Sequence, residues 1–264
     1  MNIIKRILNK ILREWLKFLQ NVFFDRTMIV EGFILDNSHY RIKNRKLYPV
    51  REEQEMFIFL DMIDKSDVFW DIGANIGYFS LYVAKKRKAK VVAFDPDTLT
   101  CSILNKNIYL NNLSDYIIAL PVALNDINSI NYLYMRDFLP ANAYNTFSSN
   151  KNHRGKEFKQ EFKQGSIGFT GEFLVNTNSE ISHPSAVKID VDGNELKVLK
   201  GLGELLKGVR ILAIELAYDH PDYEECISIL SKNNFIEIGD SRLFNEKRDQ
   251  NSMRNFYFHN KSFC

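Results

Sequence analysis

Three short blocks of this 264-residue chain put carboxylates and glycines where a small-molecule site needs them. The first is Asp71-Ile-Gly-Ala-Asn-Ile-Gly77, which follows the apolar run Val68-Phe-Trp70. Gly73 permits a tight turn and close approach of a ligand. Gly77 lets the next helix pack near the strand with its first amides toward that ligand. A dinucleotide loop needs G-x-G-x-x-G to bring the backbone onto a pyrophosphate. Here Asn75 stands in place of the middle glycine, and Asp71 ends the strand. A carboxylate there repels a pyrophosphate and suits the ammonium of a methionine moiety. The loop therefore favours S-adenosylmethionine over NAD.

The second block is Phe94-Asp-Pro96. An acid at the tip of the second strand can accept both hydroxyls of a ribose, which assigns Asp95 to the cofactor. The third strand, read as Ile117–Ala123, ends at Ala123, small enough to let an adenine ring lie flat against it. The third block, Asp190-Val-Asp192-Gly-Asn-Glu195, ends a fourth strand across the switch point of a doubly wound sheet. Methyl transfer is an in-line displacement that requires an aligned acceptor and removal of its proton. Asp190 and Asp192 alternate along an extended segment and so face opposite sides. Asp190 is assigned to the sulfonium side and Asp192 to the acceptor. Asp192 could instead serve only to cap the following helix. His220, in Tyr218-Asp-His-Pro221, is a third catalytic candidate as general base. No metal is expected. The least remote ion site would be Mg²⁺ held by oxygens of Asp190, Asp192 and Glu215.

These blocks resemble the FkbM-type methyltransferase family. The resemblance is carried by Asp71–Gly77, Ala93-Phe-Asp-Pro96, Asn107-Ile-Tyr-Leu-Asn111, Val187-Lys-Ile-Asp-Val-Asp-Gly-Asn-Glu195 with Val198-Leu-Lys-Gly201, Ile214-Glu215 and Asn255-Phe-Tyr-Phe258. It implies a class I, Rossmann-like fold and S-adenosylmethionine-dependent O-methylation. Two positions depart from the family pattern. Asp95-Pro96 replaces the usual Glu-Pro, and Gly171-Glu172-Phe173 stands where Leu-Asp-Asp is common.

The elements needed to position the blocks follow from the apolar pattern. Strands alternate with helices from residue 51 onward, which predicts an α/β fold with a mainly parallel, doubly wound sheet. Residues 51–264 form the methyltransferase domain. Residues 1–50 hold an amphipathic helix over 3–23 and a β-rich extension over 28–50. Segment 137–172, polar and aromatic, reads as a long loop inserted in the alternation. Its Tyr144, Phe147, Phe158, Phe162 and Phe169 would stack on a saccharide as an acceptor lid. The helix over 3–23 sets Ile, Leu and Trp15 against Lys5, Arg6, Lys10, Arg13 and Lys17. That face suits an anionic membrane surface, a second subunit or the chain's own domain. The formal charge of +2 gives no global reason to expect nucleic acid. Three scattered cysteines, Cys101, Cys226 and Cys264, argue against a disulfide framework and for a reducing, cytoplasmic setting, with peripheral contact at the inner face of a membrane as an option. The reading is thus an O-methyltransferase with a saccharide or similar polar acceptor. The alternatives are a membrane-associated binding module that keeps the fold, and a nicotinamide-dependent oxidoreductase.

Overall fold

The computed structural model describes residues 12–13, 15, 27–30, 32–36, 51–142, 145–151, 154–238 and 253–263. The chain divides into two compact units, Met1–Tyr48 and Pro49–Cys264. In the first, β1 (Thr27–Val30) and β2 (Phe33–Asp36) form the expected antiparallel hairpin, with Thr27 opposite Asp36. Of the helix expected over 3–23, Leu12, Arg13 and Trp15 are helical. The rest of it, like residues 37–50, lies outside the described residues.

The second unit contains the strand–helix alternation. It comprises α1 (Arg51–Asp61), β3 (Val68–Ile72), α2 (Tyr78–Tyr82, continued as a π-helical turn Val83–Arg87), β4 (Lys90–Phe94), α3 (Thr98–Leu110) and β5 (Ile117–Leu120). After an added segment come α4 (Gly171–Thr177), β10 (Ala186–Ile189), α5 (Glu195–Leu202), β11 (Ile211–Ala217), α6 (Tyr223–Lys232), β12 (Phe235–Glu237) and β13 (Met253–Asn260). The seven-stranded sheet runs β12-β13-β11-β10-β3-β4-β5. The strands from β11 to β5 are mutually parallel, and β13 lies antiparallel to both of its neighbours. This is the predicted doubly wound, Rossmann-like architecture. The order reverses between β3 and β10, so the first and third blocks end side by side at the switch point.

Near-continuous apolar runs make these strands because both faces of the sheet are covered. Trp70, Ile72, Val92, Phe94, Val187, Ile189, Leu212 and Ile214 build one core with Leu196, Val198, Leu199 and Leu202 of α5 and Leu174 of α4. The alternate residues Phe69, Ala93, Ala186 and Ala213 are equally buried on the opposite face. There Phe59 of α1 meets Tyr257 of β13 with ring centroids 5.6 Å apart. No described helix is long and apolar enough to cross a membrane.

The added segment corrects the reading of a long loop. Four strands, β6 (Ala123–Leu124), β7 (Ser129–Met135), β8 (Thr146–Phe147) and β9 (Phe162–Phe169), form a second sheet in the order β6-β9-β7-β8. Ala123, Leu133, Met135 and Phe147 close a small core beneath it. Gly168, one of the glycines that suggested a loop, is a packing device. A Cβ on Gly168 would lie 2.5 Å from the Phe147 ring. Ala123 is also relocated. The third strand stops at Leu120, and Ala123 opens β6, paired with Gly168 of β9. Pro121 cannot donate a ladder hydrogen bond, so the strand breaks there.

Candidate active site

The turn after β3 is set by its backbone. Gly73, Asn75 and Gly77 all have positive φ, at 78°, 53° and 84°. The Gly73 and Ala74 amides both donate to the Phe94 carbonyl at 2.9 Å. A Cβ on Gly73 would fall 1.8 Å from the Asp190 carbonyl oxygen. Gly73 therefore permits a close approach of the β10 loop. Gly77 similarly admits Leu104 of α3. Asn107, fully buried, donates from Nδ2 to the Ile76 carbonyl at 2.8 Å and ties α3 to the turn.

Asp71 differs from its sequence reading. Its carboxylate is fully buried, accepts the Ser80 hydroxyl at 2.6 Å, and lies 3.4 Å from Nζ of Lys188. That lysine, 2% exposed in the middle of β10, also reaches Asp190 Oδ2 at 3.2 Å and donates to the Gly73 carbonyl at 3.3 Å. Burial alone would depress the Lys188 ammonium, but the charges of Asp190 and Asp71 outweigh it and hold it well above the usual lysine range. Asp71 thus has a cation of its own in Lys188. The accessible carboxylate is that of Asp190, whose side chain is 38% exposed. Lys188 was not singled out from sequence. The signal was there, a lysine inside the apolar strand Ala186-Val-Lys-Ile189, because a buried lysine without anions is costly.

Asp95 lies where the second block placed it. Its Oδ2 accepts the Asn75 amide at 2.8 Å and its Oδ1 the Asp97 amide at 3.0 Å. Each oxygen keeps acceptor capacity for a further hydroxyl. Burial, then the neighbouring Asp97 charge, pushes its pKa up to about 7. Asp97 caps α3 by accepting from the Leu99 amide.

The third block departs from simple alternation. β10 ends at Ile189, and Asp192 and Gly193 follow at φ 57° and 110°. The chain has already turned, so Asp190 and Asp192 are not opposite faces of one strand. Asp192 lies three residues before the start of α5 at Glu195. The residue before that helix is Asn194, whose Nδ2 donates to the Phe147 carbonyl at 3.0 Å. Buried Glu195 accepts the Gly193 amide, and burial pushes its pKa to about 7. Glu215, two residues before the end of β11, stands within hydrogen-bonding reach of Asp190. Burial and the Asp190 charge hold it far above the usual carboxylate range. A protonated Glu215 donates to Asp190 and is a poor ligand for a hard cation. Among the described residues, no three His, Cys, Asp or Glu side chains converge to hold a metal.

His220 sits in the turn before α6. Its Nδ1 accepts the Asp222 amide at 3.1 Å, and burial lowers its pKa. A neutral ring in this arrangement carries its proton on Nε2 and has its lone pair committed to the backbone. The added sheet touches each of these loops. Gln164 donates to the Pro96 carbonyl and accepts from Thr98, and Lys197 of α5 donates to Ser148. Arg154 lies 4.0 Å from Asp219. Tyr144 lies outside the described residues.

Known proteins share much of this chain. It is similar to the hexuronic acid methyltransferase AglP of Haloferax volcanii, 28% identical over 172 residues that make up 65% of each chain. It is similar to the methyltransferase sdnD of Sordaria araneosa, 30% identical over 51% of this chain and 60% of that one. The chain thus spans just under two thirds of these relatives' own lengths. A solved structure of a methyltransferase FkbM from Methylobacillus flagellatus superposes with a TM-score of 0.49 at 16% identity, over 75% of this chain and 44% of that one. Residues 71–237, more than half of the sequence and all three blocks, match the family model for the methyltransferase FkbM domain, and the chain belongs to that family.

Proposed function

We propose that the chain is an S-adenosylmethionine-dependent O-methyltransferase acting on a hydroxyl of a saccharide or similar polar acceptor. The observation that carries this reading is a pair of acids on either side of one glycine turn. Asp95 has acceptor capacity for a vicinal diol, and Asp190 offers a partly exposed negative charge. When bound, S-adenosylmethionine supplies a methyl group already activated by its sulfonium. Asp95 would hold the ribose, Asp190 would face the positive end, and the turn Gly73–Gly77 would fix the distance between them. Asp71 and Asn75 serve this site from behind, Asp71 through Lys188 and Asn75 through its amide on Asp95.

Proton removal from the acceptor falls to Asp192 in this reading. Asp190 is already engaged with the Lys188 ammonium at 3.2 Å and faces the sulfonium in this reading. His220 has its lone pair on the Asp222 amide. The added sheet, which contacts the loops after β4, β10 and β11, would form the acceptor wall. A saccharide acceptor agrees with what one relative's name states, a hexuronic acid methyltransferase.

Two measurements test the proposal. Calorimetry should show S-adenosylmethionine binding to the folded chain, at least about tenfold weaker in Asp95→Asn, since a charge-assisted hydrogen bond contributes roughly 1.5–3 kcal/mol. A panel of oligosaccharides incubated with isotopically labelled donor should yield one product heavier by a labelled methyl group. Absence of donor binding, or equal binding by the variant, overturns the reading.

A further inference from the structure

The ion cluster behind the turn has a role that the functional reading leaves open. Lys188 Nζ touches both halves of the site. It donates to the Gly73 carbonyl at 3.3 Å, on the donor-binding turn. It reaches Asp190 at 3.2 Å, on the loop that leads to the acceptor, and Asp71 at 3.4 Å beneath both. The Phe79 ring lies 5.6 Å from the ammonium. Lys188 and Asp71 are both shut off from water, whereas Asp190 is partly open. The cluster therefore presents one carboxylate to a ligand while its second is neutralised internally. Asp71 Oδ1 makes no hydrogen bond in the structure, so its compensation is the nearby lysine charge.

We propose that Lys188 is the positioning residue of the donor site, with two separable effects. It fixes the Gly73 turn against the β10 loop. It also sets the net charge of the Asp71–Lys188–Asp190 cluster at one negative unit, the value that matches a single sulfonium.

The inference rests on S-adenosylmethionine being the ligand, and it yields a readout independent of turnover. S-adenosylmethionine is a cation at sulfur, and S-adenosylhomocysteine is neutral there. Both carry the same ribose and the same amino-acid end, so contacts to Asp95 cancel in the ratio of their dissociation constants. Charge near the sulfur does not cancel.

Both constants are to be measured by calorimetry at pH 8 for wild type, Lys188→Met and Asp71→Asn/Lys188→Met. Lys188→Met removes the cation. It should shift preference toward the sulfonium by at least about threefold, as expected for one unit of nearby charge at a partly screened site. The double variant restores the cluster to one negative unit. Its preference should return to within about twofold of wild type, while both ligands bind at least about tenfold more weakly because the Gly73 carbonyl has lost its donor. If Lys188→Met does not fold, as judged by circular dichroism, the double variant alone decides. A wild-type preference with weakened binding supports the proposal, and wild-type affinity overturns it. An unchanged preference in a folded Lys188→Met also overturns it. Failure of wild type to bind either ligand would instead defeat the cofactor reading itself.

Discussion

Asp95 has to carry charge in a place that penalises it. Burial and Asp97 lift its pKa to about 7, while the amides of Asn75 and Asp97 work in the opposite direction. Ligand hydroxyls would donate to the ionised form, so binding must first remove the proton wherever it is present. The sign follows: donor affinity should fall as pH drops through 7. Between pH 8 and pH 6 the dissociation constant of S-adenosylhomocysteine should rise about tenfold, as expected for one group titrating at about 7. Calorimetry at the two pH values checks this, and Asp95→Asn should abolish the trend. At this scale the sequence was informative about which acids matter and less so about what they do. Asp71 was legible as an acid on a strand end. That its charge is met by Lys188 was not, because a side chain 115 residues beyond the turn it holds leaves no local pattern.

Between elements, the site depends on a few close approaches that side chains either permit or tie. Gly201 of α5 lies against the loop after β6, where a Cβ would be 2.0 Å from the Asn125 carbonyl oxygen. Asn107 does the reverse, reaching from α3 to the Ile76 carbonyl. Asn107→Ala should leave that buried carbonyl without its donor and lower unfolding stability by about 1–3 kcal/mol, measurable by urea denaturation. The strands and helices of the main sheet were readable because apolar runs and caps agree with one another. The second sheet was not. Its β9 reads Phe-Lys-Gln-Gly-Ser-Ile-Gly-Phe, with lysine, glutamine and two glycines where a strand usually shows apolar alternation. Its inward side is small, with Ser166 buried and Gly168 under Phe147, and only the fold explains that. Asn194, which joins α5 to β8, was likewise visible only as part of a helix-start pattern.

Over the whole molecule, four of the described buried carboxylates have pKa values raised by burial, Asp97 among them. Asp95 and Glu195 stand at about 7 and Glu215 higher still. The folded chain binds protons more tightly at these groups than the unfolded chain does, so they favour folding most at low pH and lose that contribution as pH rises through their folded values. His220, lowered by burial, and Asp67, lowered by its Asp64 and Arg210 bonds against the effect of burial, act oppositely and penalise the acid side. The melting temperature without ligand should therefore be highest on the acid side, at about pH 4–5, and fall by several degrees toward pH 9, since each group contributes up to about 1.4 kcal/mol per pH unit between its unfolded and folded values. Scanning calorimetry across this range tests the profile, and Glu215→Gln should flatten its upper part. The position of β10 has a further consequence, one of timing. It lies beside β3 in the sheet, yet more than a hundred residues separate the turn after β3 from its lysine. During synthesis, β3, β4 and β5 all emerge before β10, so the edge of β3 that β10 covers stays open until then. Asp71 waits there without its counter-ion until residues 186–190 arrive. Loops this long close slowly, so the ligand site is among the last parts of the nascent chain to exist, and whatever shields that open edge in the meantime governs how much of the chain reaches its native state.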